Sequence, residues 1–340
     1  MNNKFIFLMK GCMMVISKCM VNGKILLIIP KFFGYEDIIT NSFLKRGASV
    51  DVIYENLDYL SLFYRFIYVY AKKYKKKLVD RYYRKHINDE NYDYVIVIRG
   101  ESLFSDTISW IREKNPNARF ILYQWDSINN NPNSVKIASF FDKCLTFDFT
   151  DAVNQGWEYR PLFFGDGSNR ERNRKYKLAY ISSLHSQRVK ILMSLKKFSI
   201  EKNIYSFLYL YSPRLIFIKN RYFCRKKEFQ GVDFVNFEPL NLKETNTIYA
   251  NSDIIVDYTH PLQVGLTMRT IESIGNRCRL VTNNKKVLEC DFYHPNNIFV
   301  YEGDEVCIPD EFLNLEYTEL NEEQYYYYSI DGWIDSVLGD

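Results

Sequence analysis

What this chain has little of narrows it first. Histidine is rare, with only four in 340 residues, and His185, His260 and His294 fall in separate segments. None shows the spacing of a metal-ligating set, so the sequence offers no metal centre. Cysteine is scattered: seven residues, at positions 12, 19, 144, 224, 278, 290 and 307, with no Cys-x-x-Cys. An odd, dispersed set points to free thiols and a reducing cytoplasm rather than to a disulfide framework. No apolar run reaches the roughly 18–20 residues of a membrane span. The two apolar stretches near the start, residues 5–9 and 13–16, are broken up by Lys10 and Lys18, and no small-residue cleavage site follows. Gly-x-Gly-x-x-Gly is missing, so no dinucleotide cofactor is supported. An excess of one charge is missing too: 45 Lys and Arg against 41 Asp and Glu leave +4, too mild a balance to argue for nucleic acid. No internal sequence repeat is visible.

What is abundant is apolar and aromatic. Apolar residues make up 47% of the chain, with 28 Tyr and 25 Phe among them, enough to fill the cores of two ordinary domains. The Tyr-, Lys-, Asn- and Ile-rich composition speaks of an AT-rich bacterial genome as much as of any function.

The pattern along the chain is α/β. Residues 1–19 read as an upstream start-site artefact or a loose extension, and a domain starts naturally near Met20. Residues 24–30 and 50–54 read as buried strands around an amphipathic helix at 36–46, an opening βαβ unit. Residues 57–88 read as helical. Within 64–86 stand nine Lys and Arg against the single acid Asp80, with Tyr and Phe interleaved. Three readings compete there: a solvated basic helix, a helix lying on an anionic membrane surface, and a nucleic-acid contact, the last without any recognition module. Strands follow at 92–98, 120–123 and 140–147. The first domain closes at 164, and the polar stretch 165–175 is the clearest linker. A second domain runs from 176 to 318, with strands at 176–181, 205–211, 232–237, 254–256, 280–282 and 298–301. Residues 319–338 read as a terminal helix with Trp333, Ile334 and Leu338 on one stripe.

Residues 252–284 organise the rest. A strand at 254–256 leads into a polar loop, residues 257–263, then a helix at 267–274 with Met268, Ile271 and Ile274 at helical spacing, then the next strand. This is the repeat of an open parallel sheet, whose ligands sit beyond the carboxyl ends of its strands. The loop delivers Gly265, Thr267 and Arg269 to one helix N-terminus, a cradle for a diphosphate. Glu272, one turn on, is placed to accept hydrogen bonds from a ribose diol or a sugar hydroxyl. Read blandly, Arg269 and Glu272 are a helix-surface ion pair. In the first domain, Glu101 and Asp126 both lie just past the carboxyl ends of strands, where either could act as a general base on an acceptor hydroxyl. The bland alternatives are helix capping by Asp126 or Ser127 and dipole matching by Glu101.

The string from Gly265 to Thr282, Gly-Leu-Thr-Met-Arg-Thr-Ile-Glu-Ser-Ile-Gly-Asn-Arg-Cys-Arg-Leu-Val-Thr, resembles the donor-binding segment of GT-B glycosyltransferases. It is most similar to the CgeB-like and surface-polysaccharide transferases, whose Arg-x-x-Glu-x-x-x-x-Gly pattern falls here on Arg269 and Glu272, with Gly275 two residues short. Val264 stands where many retaining members carry a first glutamate. The resemblance implies two Rossmann-like domains with parallel sheets facing a cleft: an acceptor domain at 20–164 with the basic insertion 57–88, and a donor domain at 176–318. A terminal segment at 319–340 would cross back to the first domain. By position, Ser183, His185 and Arg188 fall where such enzymes touch donor phosphates, the loop 31–35 faces the cleft, and the strand at 232–237 leads into the base pocket.

The expected function is a metal-independent glycosyltransferase without cofactor. It would move a sugar from a nucleotide-diphosphate donor to a surface-glycan acceptor such as lipopolysaccharide, O-antigen or capsule, free or lipid-linked. It would be cytoplasmic, or peripheral on the inner membrane face through residues 64–86, with no nucleic-acid partner. The rival readings are a GT-B-shaped sugar-nucleotide epimerase and a non-catalytic scaffold in a glycan-assembly complex.

Overall fold

The computed structural model describes residues 20–55, 72–87, 91–165, 167, 174–185, 187–259, 265–303 and 305–339, with the side chains of residues 72–75 excepted. Two parallel sheets organise them. The first is six-stranded, in the order β2-β1-β3-β4-β5-β6: β1 Lys24–Ile29, β2 Ser49–Tyr54, β3 Tyr94–Ile98, β4 Arg119–Gln124, β5 Lys143–Thr146 and β6 Glu158–Tyr159. The second is five-stranded, in the order β11-β10-β9-β7-β8: β7 Tyr176–Ser183, β8 Ser206–Tyr211, β9 Ser252–Asp257, β10 Arg279–Thr282 and β11 Ile298–Val300. In both sheets the chain runs outward from the first strand and then turns back past it. Each sheet therefore has a switch point, between β1 and β3 and between β7 and β9, and crevices for ligands open there.

The continuous apolar runs are strands because both faces of each sheet are covered. Alternation then sorts the side chains. Ile25, Leu27, Ile29, Ile96, Ile98, Ile121 and Tyr123 enter one core; Leu26, Ile28, Val95, Val97, Phe120 and Leu122 enter the other. The first core is covered by helix α1, Tyr35–Lys45, through Ile39 and Phe43. The second is covered by helix α2, Lys72–His86, through Val79 and Tyr83, and by helix α3, Ser105–Lys114, through Ile108 and Ile111. The described end of the basic segment is thus an ordinary amphipathic helix of the first domain. Its outward charges are partly paired, Lys76 with Asp106 at 2.6 Å and Arg84 with Asp80 at 2.7 Å. Residues 57–71 of that segment lie outside the described residues, as do 1–19 and most of the linker.

Helices α4 (Arg188–Glu201), α5 (Leu242–Ala250) and α6 (Met268–Gly275) flank the second sheet. A capping box, Asn241 with Glu244, starts α5, and the Thr267 hydroxyl caps α6 by accepting from the Thr270 N–H. The last helix, α7 (Ile330–Leu338), packs on the first domain: Ile330, Trp333, Ile334 and Val337, at helical spacing, are buried against β1, β3 and β4. Buried Arg46 at the end of α1 fixes it further, reaching Asp331 at 3.1 Å and also pairing with Asp335. A further apolar cluster joins the domains, with Phe147, Leu162 and Phe164 against Leu266, Ile271, Ile274 and Leu280.

Three expectations of local structure fail. Residues 232–237 are not a strand; only Asn236 meets Tyr211, in a single bridge on the outer edge of β8. The segment leaves the edge after one rung, between Gly231 with φ +67° and Pro239. Residues 319–338 are not one helix but two, Glu322–Tyr327 and Ile330–Leu338. The break comes where Phe164 inserts: its N–H donates to the Tyr328 carbonyl, and its own carbonyl accepts from Ile330. Finally, Asp257 is no loop residue. It ends β9, paired in register with Thr282, and is fully buried.

Candidate functional site

The carboxyl ends of both sheets face one cavity of about 540 Å³. From the first domain come residues 30–33 beyond β1, Tyr35 of α1, Arg99 beyond β3, and Trp125 and Asp126 beyond β4. From the second come Ile181–Ser183 at the end of β7, Arg188 at the start of α4, Tyr209 and Tyr211 of β8, Leu240 to Tyr249 around α5, and Thr267 to Glu272 of α6. Both switch points thus open into the same space.

On the second-domain wall, the buried Asp257 carboxylate is the centre. It accepts from Arg269 Nη1 at 2.9 Å, from the Thr267 hydroxyl at 2.8 Å and from the Thr259 hydroxyl at 3.1 Å. Arg269 Nε is bound to the Ile181 carbonyl at 2.9 Å. Burial works against the Arg269 charge, but Asp257 overcomes it and holds the pKa above the usual arginine value. Arg188 sits in the opposite situation. Burial, and then repulsion from Arg269, push its pKa down to about 10. Its Nη1 meets His185 Nε2 at 2.6 Å, and its buried Nε has no hydrogen-bond partner. The wall therefore carries two guanidiniums and one buried carboxylate, beside the N-terminus of α6.

Glu272 does not pair with Arg269 on the helix surface, which removes the bland reading of that spacing. It points across the cleft, where its carboxylate accepts from the Tyr35 hydroxyl. Glu272 is 5% exposed, and burial pushes its pKa up to about 7, against the opposing pull of Tyr35 and Arg269. Burial and the adjacent carboxylate hold the Tyr35 phenol well above its ordinary value.

On the first-domain wall, Arg99 and Gly100 both adopt left-handed backbone, φ 76° and 68°. An arginine there is strained unless its surroundings hold it. Buried Glu55, at the end of β2, accepts from the Gly100 N–H at 3.1 Å and the Ser102 N–H at 2.6 Å. The Arg99 carbonyl accepts from Gln124 at 2.6 Å and Asn131 at 2.7 Å. Burial raises the Glu55 pKa to about 7, although the two N–H donors and Arg99 work against that. The turn aims Arg99 into the cavity, with Glu101 at 2.7 Å and Asp126 at 3.8 Å. Asp126 Oδ1 accepts from the Ser127 N–H at 3.0 Å and Asn130 at 2.9 Å, so one oxygen shapes the turn. Phe32, 45% exposed, and Trp125 lie 5.6 Å apart between ring centres and give this wall an aromatic face.

The candidate residues thus divide. Ser183, Arg188, Thr267, Arg269, Glu272 and Asp126 come together on the cavity wall. His185 is exposed and reaches the site through Arg188; Glu101 is half-exposed, bound to Arg99, and off the wall. Gly265 is also off the wall: a Cβ there would run into the Phe147 ring, so the residue serves close packing between the domains. Sequence reasoning did not name Asp257 or Arg99 as site residues, and it reached Tyr35 only as the end of the loop 31–35 expected to face the cleft. Asp257 could have been found as the acid that ends an Ile-Ile-Val run at a carboxyl edge. Nothing local announces Tyr35, whose partner is 237 residues away. Among the described residues, no cluster of three His, Cys, Asp or Glu side chains is placed to hold a metal ion.

No protein-family model matches this sequence, and comparison with curated proteins finds no match. Solved structures do resemble it. Anabaena HepE, solved in complex with UDP and glucose, is 12% identical, with a TM-score of 0.56 over 93% of this chain and 99% of that one. The UDP-GlcNAc 2-epimerase of Methanocaldococcus jannaschii, solved with UDP-GlcNAc and UDP, is also 12% identical, with a TM-score of 0.52 over the same shares of the two chains. At that identity the likeness speaks for the fold, and it spans both domains: the chain has the two-domain GT-B architecture, two Rossmann-like parallel-sheet units facing across a cleft.

Proposed function

We propose that this protein is a glycosyltransferase, moving a sugar from a nucleotide-diphosphate donor to a glycan acceptor without a metal. The observation that carries the reading is Arg188. A partly buried guanidinium whose Nε is buried and unpartnered, beside a second arginine and a helix N-terminus, is a site short of an anion. A diphosphate supplies that anion. As the bond to the sugar breaks, charge grows on the leaving diphosphate, and Arg188, Arg269 and the N-terminus of α6 on the same wall would stabilise it. Asp257 serves by fixing Arg269. Glu272 accepts a hydroxyl of the sugar or the ribose. Tyr209, Tyr211, Pro239 and Leu240 offer a flat, largely apolar pocket for the base. Across the cleft, Phe32 and Trp125 suit the apolar face of an acceptor sugar, and Asp126 is the carboxylate on that wall able to take the acceptor's proton. A surface glycan such as lipopolysaccharide or capsule is the acceptor class that fits the sequence resemblance.

The test is calorimetric titration with UDP, GDP, ADP, CMP and dTDP. UDP comes first, because both fold relatives were solved with it. One nucleotide is expected to bind, and Arg188→Gln to weaken it about 10- to 100-fold, the worth of a charge-assisted hydrogen bond. If folded protein binds none of them, or if Arg188→Gln changes nothing, the reading is wrong.

One observation favours a second reading, a sugar-nucleotide epimerase. Glu272, poised near neutrality against Tyr35, is a proton carrier as well as a hydrogen-bond acceptor. Conversion of a sugar nucleotide with no acceptor present would decide for it.

A further inference from the structure

One surface remains outside the cavity and its chemistry. Beyond β8 the chain passes Ser212 and Pro213 into a short helix, Arg214–Ile218, continued by a wider turn, Lys219–Phe223. Phe217 points inward, buried against Phe229 and Phe237 at 6.0 and 5.5 Å between ring centres. The other apolar side chains point out. Leu215 and Phe223 are each 81% exposed, Tyr222 64%, Ile216 50% and Ile218 38%. Solvated helices do not ordinarily carry five large apolar side chains outward together.

Within the segment itself the charge has one sign. Arg214, Lys219, Arg221, Arg225, Lys226 and Lys227 all fall between Pro213 and Glu228, with no acid among them. Arg221 is fixed, donating to the Val232 carbonyl at 2.9 Å and lying 3.6 Å from Asp233. The exposed triplet at 225–227 follows the apolar tip directly. An apolar tip ringed by cations matches the layers of an anionic bilayer, with headgroup phosphates around an acyl interior. A folded acidic protein or a polyanion would complement the cations but would leave Leu215 and Phe223 without a partner.

We propose that residues 214–227 are a membrane-docking surface that binds anionic lipid. Leu215, Tyr222 and Phe223 enter the acyl boundary, and Lys219 and the 225–227 triplet contact the headgroups. The surface adjoins the cavity mouth: Tyr209 and Tyr211, which line the cavity, immediately precede it, and the Arg214 guanidinium stacks on Phe237, 5.6 Å from its ring centre and two residues before cavity-lining Pro239. Docking there sets the cleft at the bilayer surface, where a lipid-linked acceptor would be found. The inference stands apart from the transferase reading, since lipid binding requires no turnover.

The test is co-sedimentation of the full chain with vesicles of phosphatidylcholine alone or with phosphatidylglycerol added. Three proteins are compared: wild type, a Leu215→Asp/Phe223→Asp variant, and an Arg225→Gln/Lys226→Gln/Lys227→Gln variant. The substituted side chains are exposed, so all three should unfold at the same temperature. Wild type is expected to pellet with the phosphatidylglycerol vesicles and not with phosphatidylcholine alone, and each variant to bind at least about tenfold more weakly. No pelleting of wild type at low salt would overturn the proposal. Full binding by the Asp variant would also overturn it, reducing the surface to a general polyanion contact. Full binding by both variants would move the contact elsewhere, the basic helix α2 first.

Discussion

Glu272 makes the sharpest prediction because its burial gives stability a particular pH dependence. Its carboxyl ionises near pH 4.5 in an unfolded chain and at about 7 in the fold. Between those values the folded protein holds a proton that the unfolded chain has released. This favours the fold at the acid end, and the advantage is lost as pH rises through 7. From about pH 5 to about pH 8 the loss amounts to about 2.5 kcal/mol, from the two-state proton-binding expression at about 1.4 kcal/mol per unit. Glu272→Gln has no such proton to lose, and its amide oxygen still accepts from Tyr35. Glu55 also titrates near 7, but it is common to both proteins and cancels in the comparison. Urea unfolding at a series of pH values should find the two proteins alike near pH 5 and the variant about 2.5 kcal/mol more stable near pH 8. A difference that stays flat over that range refutes the buried, proton-holding Glu272.

Three further substitutions test the packing that shapes the cleft. Asp257→Asn leaves the Arg269 guanidinium buried without its counter-ion and should cost about 3–5 kcal/mol of stability by urea unfolding. Gly275→Ala would bring a Cβ to 2.5 Å from Phe164 Cγ, so it should destabilise by about 1–3 kcal/mol, and adding Phe164→Leu should recover part of that loss. Trp333→Ala removes a fully buried ring from the first-domain core and should cost about 3–5 kcal/mol in a cooperative thermal transition. A cost below about 1 kcal/mol would show that helix to be detachable.

The fold was legible where physics is local. Runs such as Ile25 to Ile29 and Val95 to Ile98 can only be strands covered on both faces, and the helix of Met268, Ile271 and Ile274 announces itself by spacing. Errors came where a distant partner decides. The four tyrosines at 325–328 continue a helical pattern, yet the helix breaks because Phe164, more than 160 residues earlier, claims the Tyr328 and Ile330 backbone. Residues 232–237 alternate like a strand, yet make one rung on an outer edge. The site divides in the same way. Thr267, Arg269 and Glu272 sit on a single helix and could be collected from sequence. That Asp257 neutralises Arg269, leaving Arg188 as the cation in want of an anion, depends on three separate segments meeting.

The contact between Tyr35 and Glu272 ties these strands together. It is the point where α1 of the first domain touches α6 of the second, on the wall of the shared cavity. Glu272 accepts a hydrogen bond from the Tyr35 hydroxyl, which together with the Arg269 charge opposes the effect of burial on its pKa. A sugar or ribose hydroxyl that binds Glu272 must share the carboxylate with Tyr35 or displace it. Under the proposed function, donor binding and the contact between the domains would draw on the same carboxylate. Arg188, by contrast, has its Nη1 on His185 and leaves its Nε without a hydrogen-bond partner. Under the proposed function the two ends of the donor site differ: Arg188 and Arg269 would take the phosphates, and the carboxylate that would take a hydroxyl is already bonded to Tyr35 of the opposite domain.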